Sequence, residues 1–119
     1  LDPDLADAQA LLGTLLMQQQ DLNGSVTALE RAVAVDWGHC PARVALAKIS
    51  VQRGLLDTAQ LHLQHCIDAT WDFEEARVAK VFVDSQAGDC EAAREGVEWL
   101  KTHKSEHLSE ARSAAKRCK

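Results

Sequence analysis

The chain has no tyrosine, one methionine, two prolines and two phenylalanines, and with three tryptophans its aromatic share is only 4% of 119 residues. So few stacking rings, beside 13 Lys and Arg against 18 Asp and Glu, make a poor surface for nucleic acid, which calls for a basic face. No nucleic-acid partner is expected. Also missing is any apolar run near the roughly 18 to 20 residues that span a bilayer. The acidic start Leu1-Asp2-Pro3-Asp4 is unlike a basic signal or transit sequence, so no membrane partner, anchor or export is expected. What is present, 46% apolar residues at a net charge of -5, suits one small soluble domain.

Cysteine is sparse but even in number: Cys40, Cys66, Cys90 and Cys118 are 26, 24 and 28 residues apart. A two-disulfide scaffold therefore has to be considered. There is no Cys-x-x-Cys pair, three of the four fall in helical patterns, and the Leu, Val and Ala positions suffice for a core without staples. Four reduced thiols are expected, and with them a cytoplasmic or nuclear setting.

Self-similarity appears at an offset of 34, where Pro3, Trp37, Trp71 and Ser105 align. Gln20, Gly54 and Gly88 form a second column, Ser25, Ala59 and Ala93 a third, and Leu29, Leu63 and Val97 a fourth. A fifth holds Gly13, Ala47, Val81 and Ala115, all small but Val81. Within a period the apolar spacing is helical, as at Leu22, Val26, Leu29 and Val33 or at Leu56, Ala59, Leu63, Cys66 and Ile67. Strand-like alternation is absent. Gln20-Asp21, Arg53-Gly54 and Gly88-Asp89 each follow a helical stretch; Gly accepts the left-handed backbone that ends a helix, and Asp caps the next one. Helices are expected over 5–19, 22–35, 40–53, 56–69, 74–87, 90–103 and 107–118.

The chain thus resembles the tetratricopeptide repeat (TPR) family, whose unit is a 34-residue antiparallel helix pair. Leu12-Gly13 with Leu16, Leu46-Ala47 with Gly54 and Ala59, and Gly88-Asp89 with Ala93 carry the resemblance. It implies a single all-α domain, a right-handed α-solenoid with repeats at about 6–39, 40–73 and 74–107 and a capping or partial fourth helix over 108–119. Leu1-Asp2-Pro3 looks like the closing turn of a preceding repeat, as in a segment of a longer solenoid. Two departures stand out. The column that usually holds a large aromatic has Gln9, Arg43 and Arg77, and the turn proline is replaced by Trp37 and Trp71. In the third unit Lys80 and Asp84 take columns that hold Leu12 and Leu16 in the first, which suggests a rotated helix or a register slip.

Sets of catalytic residues are missing: no Gly-rich phosphate loop, no Gly-x-Ser-x-Gly elbow, no His-Glu-x-x-His. His62 and Cys66, four apart on one helix, have metal-ligand spacing, but Cys66 falls in a packing column and His62 and His65 on the outer side. His103 and His107 straddle a turn. Asp68, Asp72, Glu74 and Glu75 cluster where carboxylates favour a helix start. No catalytic residue, metal or cofactor is expected, and the chain is not read as an enzyme. Charge is uneven: residues 57–98 hold ten acidic and three basic side chains, residues 100–119 six basic and two acidic. Trp37 and Trp71 are expected to share a packing role at the turn between units, and Trp99, without an aromatic equivalent, to lie on an outer face, either as an interface anchor or covered by the next stretch of chain.

The resemblance also implies where a partner binds, since the first helices of successive units line a concave groove in that family. Carried over by column, the groove positions are Ala10, Val44, Val78 and Arg112; Thr14, Lys48, Phe82 and Lys116; and Gln18, Gln52 and Gln86. The glutamine amides both donate and accept, which suits a peptide backbone, and Val44, Val78 and Phe82 offer apolar contact. No Asn stands beside Lys48 in these columns, which disfavours the Lys and Asn carboxylate clamp of some members. The expected function is a non-catalytic interaction module or scaffold for a protein or peptide partner. Alternatives are a structural segment that stacks end to end or self-associates through its ends, and a targeting appendage of an enzyme or transport factor.

Overall fold

Seven helices follow one another in a computed structural model that describes residues 3–116 and 118: α1 Pro3–Gln18, α2 Leu22–Val35, α3 Cys40–Gln52, α4 Leu56–Ala69, α5 Glu74–Gln86, α6 Cys90–Thr102 and α7 Leu108–Ala115. Among the described residues there is no strand. Two ends differ from the periodicity. Pro3 opens α1 rather than closing a turn, because a proline in the first helical turn forfeits no hydrogen bond; Leu1 and Asp2 lie outside the described residues. At the other end α7 stops at Ala115.

The breaks are built as the column of Gln20, Gly54 and Gly88 requires. All three have positive φ (67°, 75° and 79°), and the following amide reaches back over the helix end: Asp21 N–H to Leu16 C=O, Leu55 to Ser50 and Asp89 to Asp84, at 2.9, 2.8 and 2.8 Å. Asp21 and Asp89 then cap the next helices by accepting from Gly24 and Ala92 N–H, at 2.9 and 3.4 Å. Leu55 stands in the same column and offers α4 no such bond.

Pairs α1–α2, α3–α4 and α5–α6 pack as hairpins, α2–α3, α4–α5 and α6–α7 join them, and the odd helices touch in series, α1–α3, α3–α5 and α5–α7. Among the described residues the even helices do not touch one another. The odd helices therefore form one layer and the even helices the other, in a body of 42 × 27 × 21 Å. Asp7 on α1 reaches His39, which caps α3: His39 Nδ1 accepts from Ala42 N–H and Nε2 donates to Asp7 Oδ1 at 2.7 Å.

Close packing explains the small column. A Cβ at Gly13 would sit 2.5 Å from Leu29 Cγ, so α1 and α2 approach only because no side chain is there. Where the column carries Val81 instead, the helix opposite supplies Gly96, whose Cβ would meet Val81 Cγ2 at 2.6 Å. The large and small partners have changed sides.

The third unit has neither slipped nor lost its column. Helix α5 starts and ends 34 residues after α3 at both bounds. Asp84 faces inward, 1% exposed, and its carboxylate accepts from Lys80 Nζ at 2.7 Å and from Gln60 Nε2 at 2.8 Å. A paired charge fills the space that leucine fills in the first unit.

The cysteines correct the expectation of free thiols. Cys40 is bonded to Cys66 and Cys90 to Cys118, with Cα atoms 4.7 and 5.2 Å apart, and no described cysteine is free. In an antiparallel helix pair the start of one helix lies beside the end of the next. Cys40 opens α3 and Cys66 is in the last turn of α4; Cys90 opens α6 and Cys118 follows α7. Separations of 26 and 28 are those of a hairpin of such helices. With both pairs bonded, the cytoplasmic assignment loses its premise. Among the described residues no helix is long and apolar enough to cross a membrane.

Candidate functional site

The inner layer of odd helices does not present all the expected groove residues to solvent. Ala10 and Val44 are buried, 5% and 2% exposed, in the core between the first and second hairpins and in the core that the second hairpin shares with α5. Thr14 turns its hydroxyl back to Ala10 C=O at 3.0 Å. Gln18, Gln52 and Gln86 are all exposed, Val78 is half-buried, and Phe82 is 39% exposed. Lys48 Nζ lies 3.3 Å from Glu75 Oε1, an exposed pair that ties α3 to α5 across the layer.

Two neighbouring clefts run between α5 and α7. One, of about 510 Å³, is lined by Phe82, Ser85 and Gln86 on α5 and by Ser109, Glu110, Ser113 and Ala114 on the α7 side. The other, of about 660 Å³, lies toward the opposite end of α5, where Lys48, Glu75, Val78 and Ala79 face Lys104, Glu106, His107 and Glu110. Glu110 borders both, which makes them one trough. Its floor is apolar at Val78, Ala79 and Phe82, and its walls are amides, hydroxyls and charges of both signs. Lys48, Val78, Phe82 and Gln86 are thus brought together.

Arg112 and Lys116 are not part of that trough. They are exposed on α7 between a cleft shared with Arg94 and Glu98 on the α6 side and a cleft shared with Ser109 and Ser113. The α5-facing side of α7 is its Ser109, Glu110 and Ser113 side, which the column rule passed over. The signal was Ala111, the apolar position in this polar helix that is fully buried, since it sets which side points inward.

On the other side of the molecule the two departures at the turns prove to be one device. Arg43 Nε donates to Trp37 C=O at 2.8 Å and Arg77 Nε to Trp71 C=O at 2.9 Å. Each guanidinium also lies over an indole, Arg43 4.8 Å from the Trp37 ring and Arg77 4.6 Å from the Trp99 ring. The arginine column and the tryptophan column are therefore coupled. The counterpart of Trp99 one period earlier is His65, which packs on Trp37 with ring centroids 3.9 Å apart. Trp99 is half-buried, with Arg77 over its ring and His103, from the end of α6, stacked on it. Trp37 and Trp71 keep more than half of their surface exposed while holding the turns.

The histidines are absorbed in the same contacts. Arg43 Nη1 donates to His62 Nδ1 at 3.0 Å, and burial followed by the Arg43 and His65 charges lowers the His62 pKa from 6.5 to about 4. His65 is lowered by burial and Arg43, against an opposing pull from Asp68. Cys66 is committed to Cys40, so His62 and Cys66 do not form a ligand pair. His103 closes α6 and His107 opens α7, on either side of their turn. Among the described residues no three His, Cys, Asp or Glu side chains converge as a metal site. Of the acidic cluster, Asp68 accepts from Gln64 at 2.7 Å, Glu75 pairs with Lys48 and Glu74 accepts from Ser105. Compared with known proteins, the chain matches no family model and no curated protein sequence.

Proposed function

We propose that the chain is a TPR-like, non-catalytic interaction module that takes an extended segment of a protein partner in the trough between α5 and α7. The observation that carries this reading is the half-exposed Phe82 ring on the floor of a cleft whose rim supplies the Gln86 amide and the Ser109 and Ser113 hydroxyls. An apolar floor anchors one side chain, and amides and hydroxyls on the rim pair with a peptide backbone. Screening immobilised protein against a peptide library, then repeating it with Phe82→Ala and Gln86→Ala, tests the reading. It expects binding that Phe82→Ala weakens at least tenfold with folding unchanged; peptides that bind both variants like the parent would refute it.

A second reading has one specific observation behind it. Leu5, Leu11, Leu12 and Leu15 expose 43 to 62% of their surface on α1, a large apolar face for one helix. Their period mates in α3 include Leu46 and Ile49, which are buried against α2. Association through α1 would give a structural assembly segment instead, visible as concentration-dependent mass in sedimentation that Leu11→Gln with Leu15→Gln abolishes.

A further inference from the structure

The two disulfides differ in exposure and in what they hold. Cys40 and Cys66 are 5% and 0% exposed inside the α3–α4 core, whereas Cys90 and Cys118 are both half-buried at the surface. The buried pair joins two helices that pack along their whole length. The surface pair joins α6 to an eight-residue helix anchored by Leu108, Ala111 and Ala115 against Val81, Val78, Leu100 and Val97. Among the described residues no ion pair ties α7 to another helix. Helix α7 also supplies one wall of the trough.

We propose that Cys90–Cys118 is a thiol-exchange site, a latch that a dithiol reductant opens to release α7 while Cys40–Cys66 stays closed. The step is thiol–disulfide exchange. A thiolate of the dithiol attacks Cys118 Sγ, a mixed disulfide forms, and the Cys90 sulfur leaves as a thiolate at the first turn of α6, where the positive end of the helix favours it. The dithiol's second sulfur then displaces Cys118. The reductant ends as a cyclic disulfide, having lost two electrons and two protons, and both protein sulfurs end as thiols. Exchange needs a sulfur that a nucleophile can reach, and of the two pairs this is the one that stands outside the core.

Release follows from the loss of the cross-link. A closed loop of 28 residues lowers the chain entropy of the detached state enough to disfavour it of the order of a hundredfold. Once cut, α7 is held by three small or medium apolar side chains and, at the turn before it, by the Ser105 hydroxyl on Glu74. That opening changes the trough is an extension which rests on the proposed function; the latch does not.

The test treats the native protein with graded dithiothreitol, traps thiols by alkylation and locates them by mass spectrometry, with hydrogen exchange in parallel. The expected result is alkylation of Cys90 and Cys118 at least tenfold faster than of Cys40 and Cys66, with loss of amide protection over residues 108–115 and retention over 22–86. Cys90→Ser with Cys118→Ser should show the same exchange pattern without reductant. Equal alkylation of all four cysteines would overturn the proposal, as would α7 amides that stay protected after Cys90 and Cys118 are alkylated. Should the serine variant not fold, the alkylation rates of the parent decide alone. Peptide binding unaltered by a demonstrated release of α7 would count against the trough and leave the latch standing.

Discussion

Lys80 and Asp84 make a buried ion pair with unequal exits, and removing either partner should cost unequal amounts. Asp84 is 1% exposed and Lys80 21% by side chain, so the carboxylate is nearly closed off from solvent while the ammonium reaches it. Lys80→Leu leaves a buried carboxylate with only the Gln60 amide for company. Breaking a buried pair this way costs about 3 to 5 kcal/mol, and the partial exposure of Lys80 points to the lower end, about 3 kcal/mol. Asp84→Leu instead frees a lysine whose stem can carry its charge outward, and the cost should be about 1 to 2 kcal/mol, chiefly the stranded Gln60 amide. The double change puts leucine at both positions, as Leu12 and Leu16 stand in the first unit, and should come out near neutral or stabilising. At about 4 °C per kcal/mol for a chain of this size, Lys80→Leu lowers Tm by about 12 °C. Urea unfolding followed by far-ultraviolet circular dichroism, run as a double-mutant cycle, measures all three. Single variants within about 0.5 kcal/mol of the parent, or a double variant worse than both singles, would refute the reasoning.

Three further outcomes follow from contacts already described. The His62 pKa is lowered on folding, so the unfolded chain takes up its proton first as pH falls. The stability linked to His62 is complete above about 6.5, the value of a free histidine, and is lost as pH falls toward about 4. His62→Gln should flatten the stability curve in that window while leaving higher pH unchanged; an unaltered acid limb would count against the burial argument. Gly96→Ala should destabilise by about 2 kcal/mol through its clash with Val81, and adding Val81→Ala should recover part of that loss, because the pair would then resemble the other units. Leu55→Asp should stabilise by about 1 kcal/mol, since Asp at Leu55 supplies the cap that Asp21 and Asp89 supply elsewhere; thermal melting reads this directly.

The fold was legible because its signals are local and repeated. A left-handed residue at Gln20, Gly54 and Gly88, followed by a cap at Asp21 and Asp89, writes each helix end into two adjacent positions, and the 34-residue offset supplies a second and third copy. What stayed hidden lies between elements. The cysteine separations already matched a hairpin's start and end, but helical periodicity at Cys40, Cys66 and Cys90 equally suits buried thiols, and only the antiparallel pairing brings the sulfurs together. Gln, Arg and Trp at unusual columns read as separate departures until the Arg43 and Arg77 guanidinium groups are seen bonded to the Trp37 and Trp71 carbonyls. Lys80 and Asp84 looked like a register error because a column rule counts a charge as exposed, and their partner Gln60 comes from another helix.

The candidate site was legible less evenly. Phe82, Gln86, Val78 and Lys48 come together along the trough because α3 and α5 keep the period without interruption. Ala10 and Val44 were misjudged since small and branched residues at an inner-layer position also fill the contact between neighbouring helices, and burial there depends on how closely the helices approach. Arg112 and Lys116 were misjudged because α7 is a short helix whose orientation follows Ala111 and the Cys90–Cys118 bond rather than the column of the longer helices.

The central claim is that the trough floored by Phe82 is the working surface. Its most direct measurement is the affinity, by isothermal titration calorimetry, of a library-selected peptide for the parent chain and for Phe82→Ala, with circular dichroism confirming equal helix content. The account predicts saturable binding by the parent and at least a tenfold weaker Kd for the variant. Equal affinity for both folded proteins would contradict it and leave the apolar face of α1 as the surface that acts.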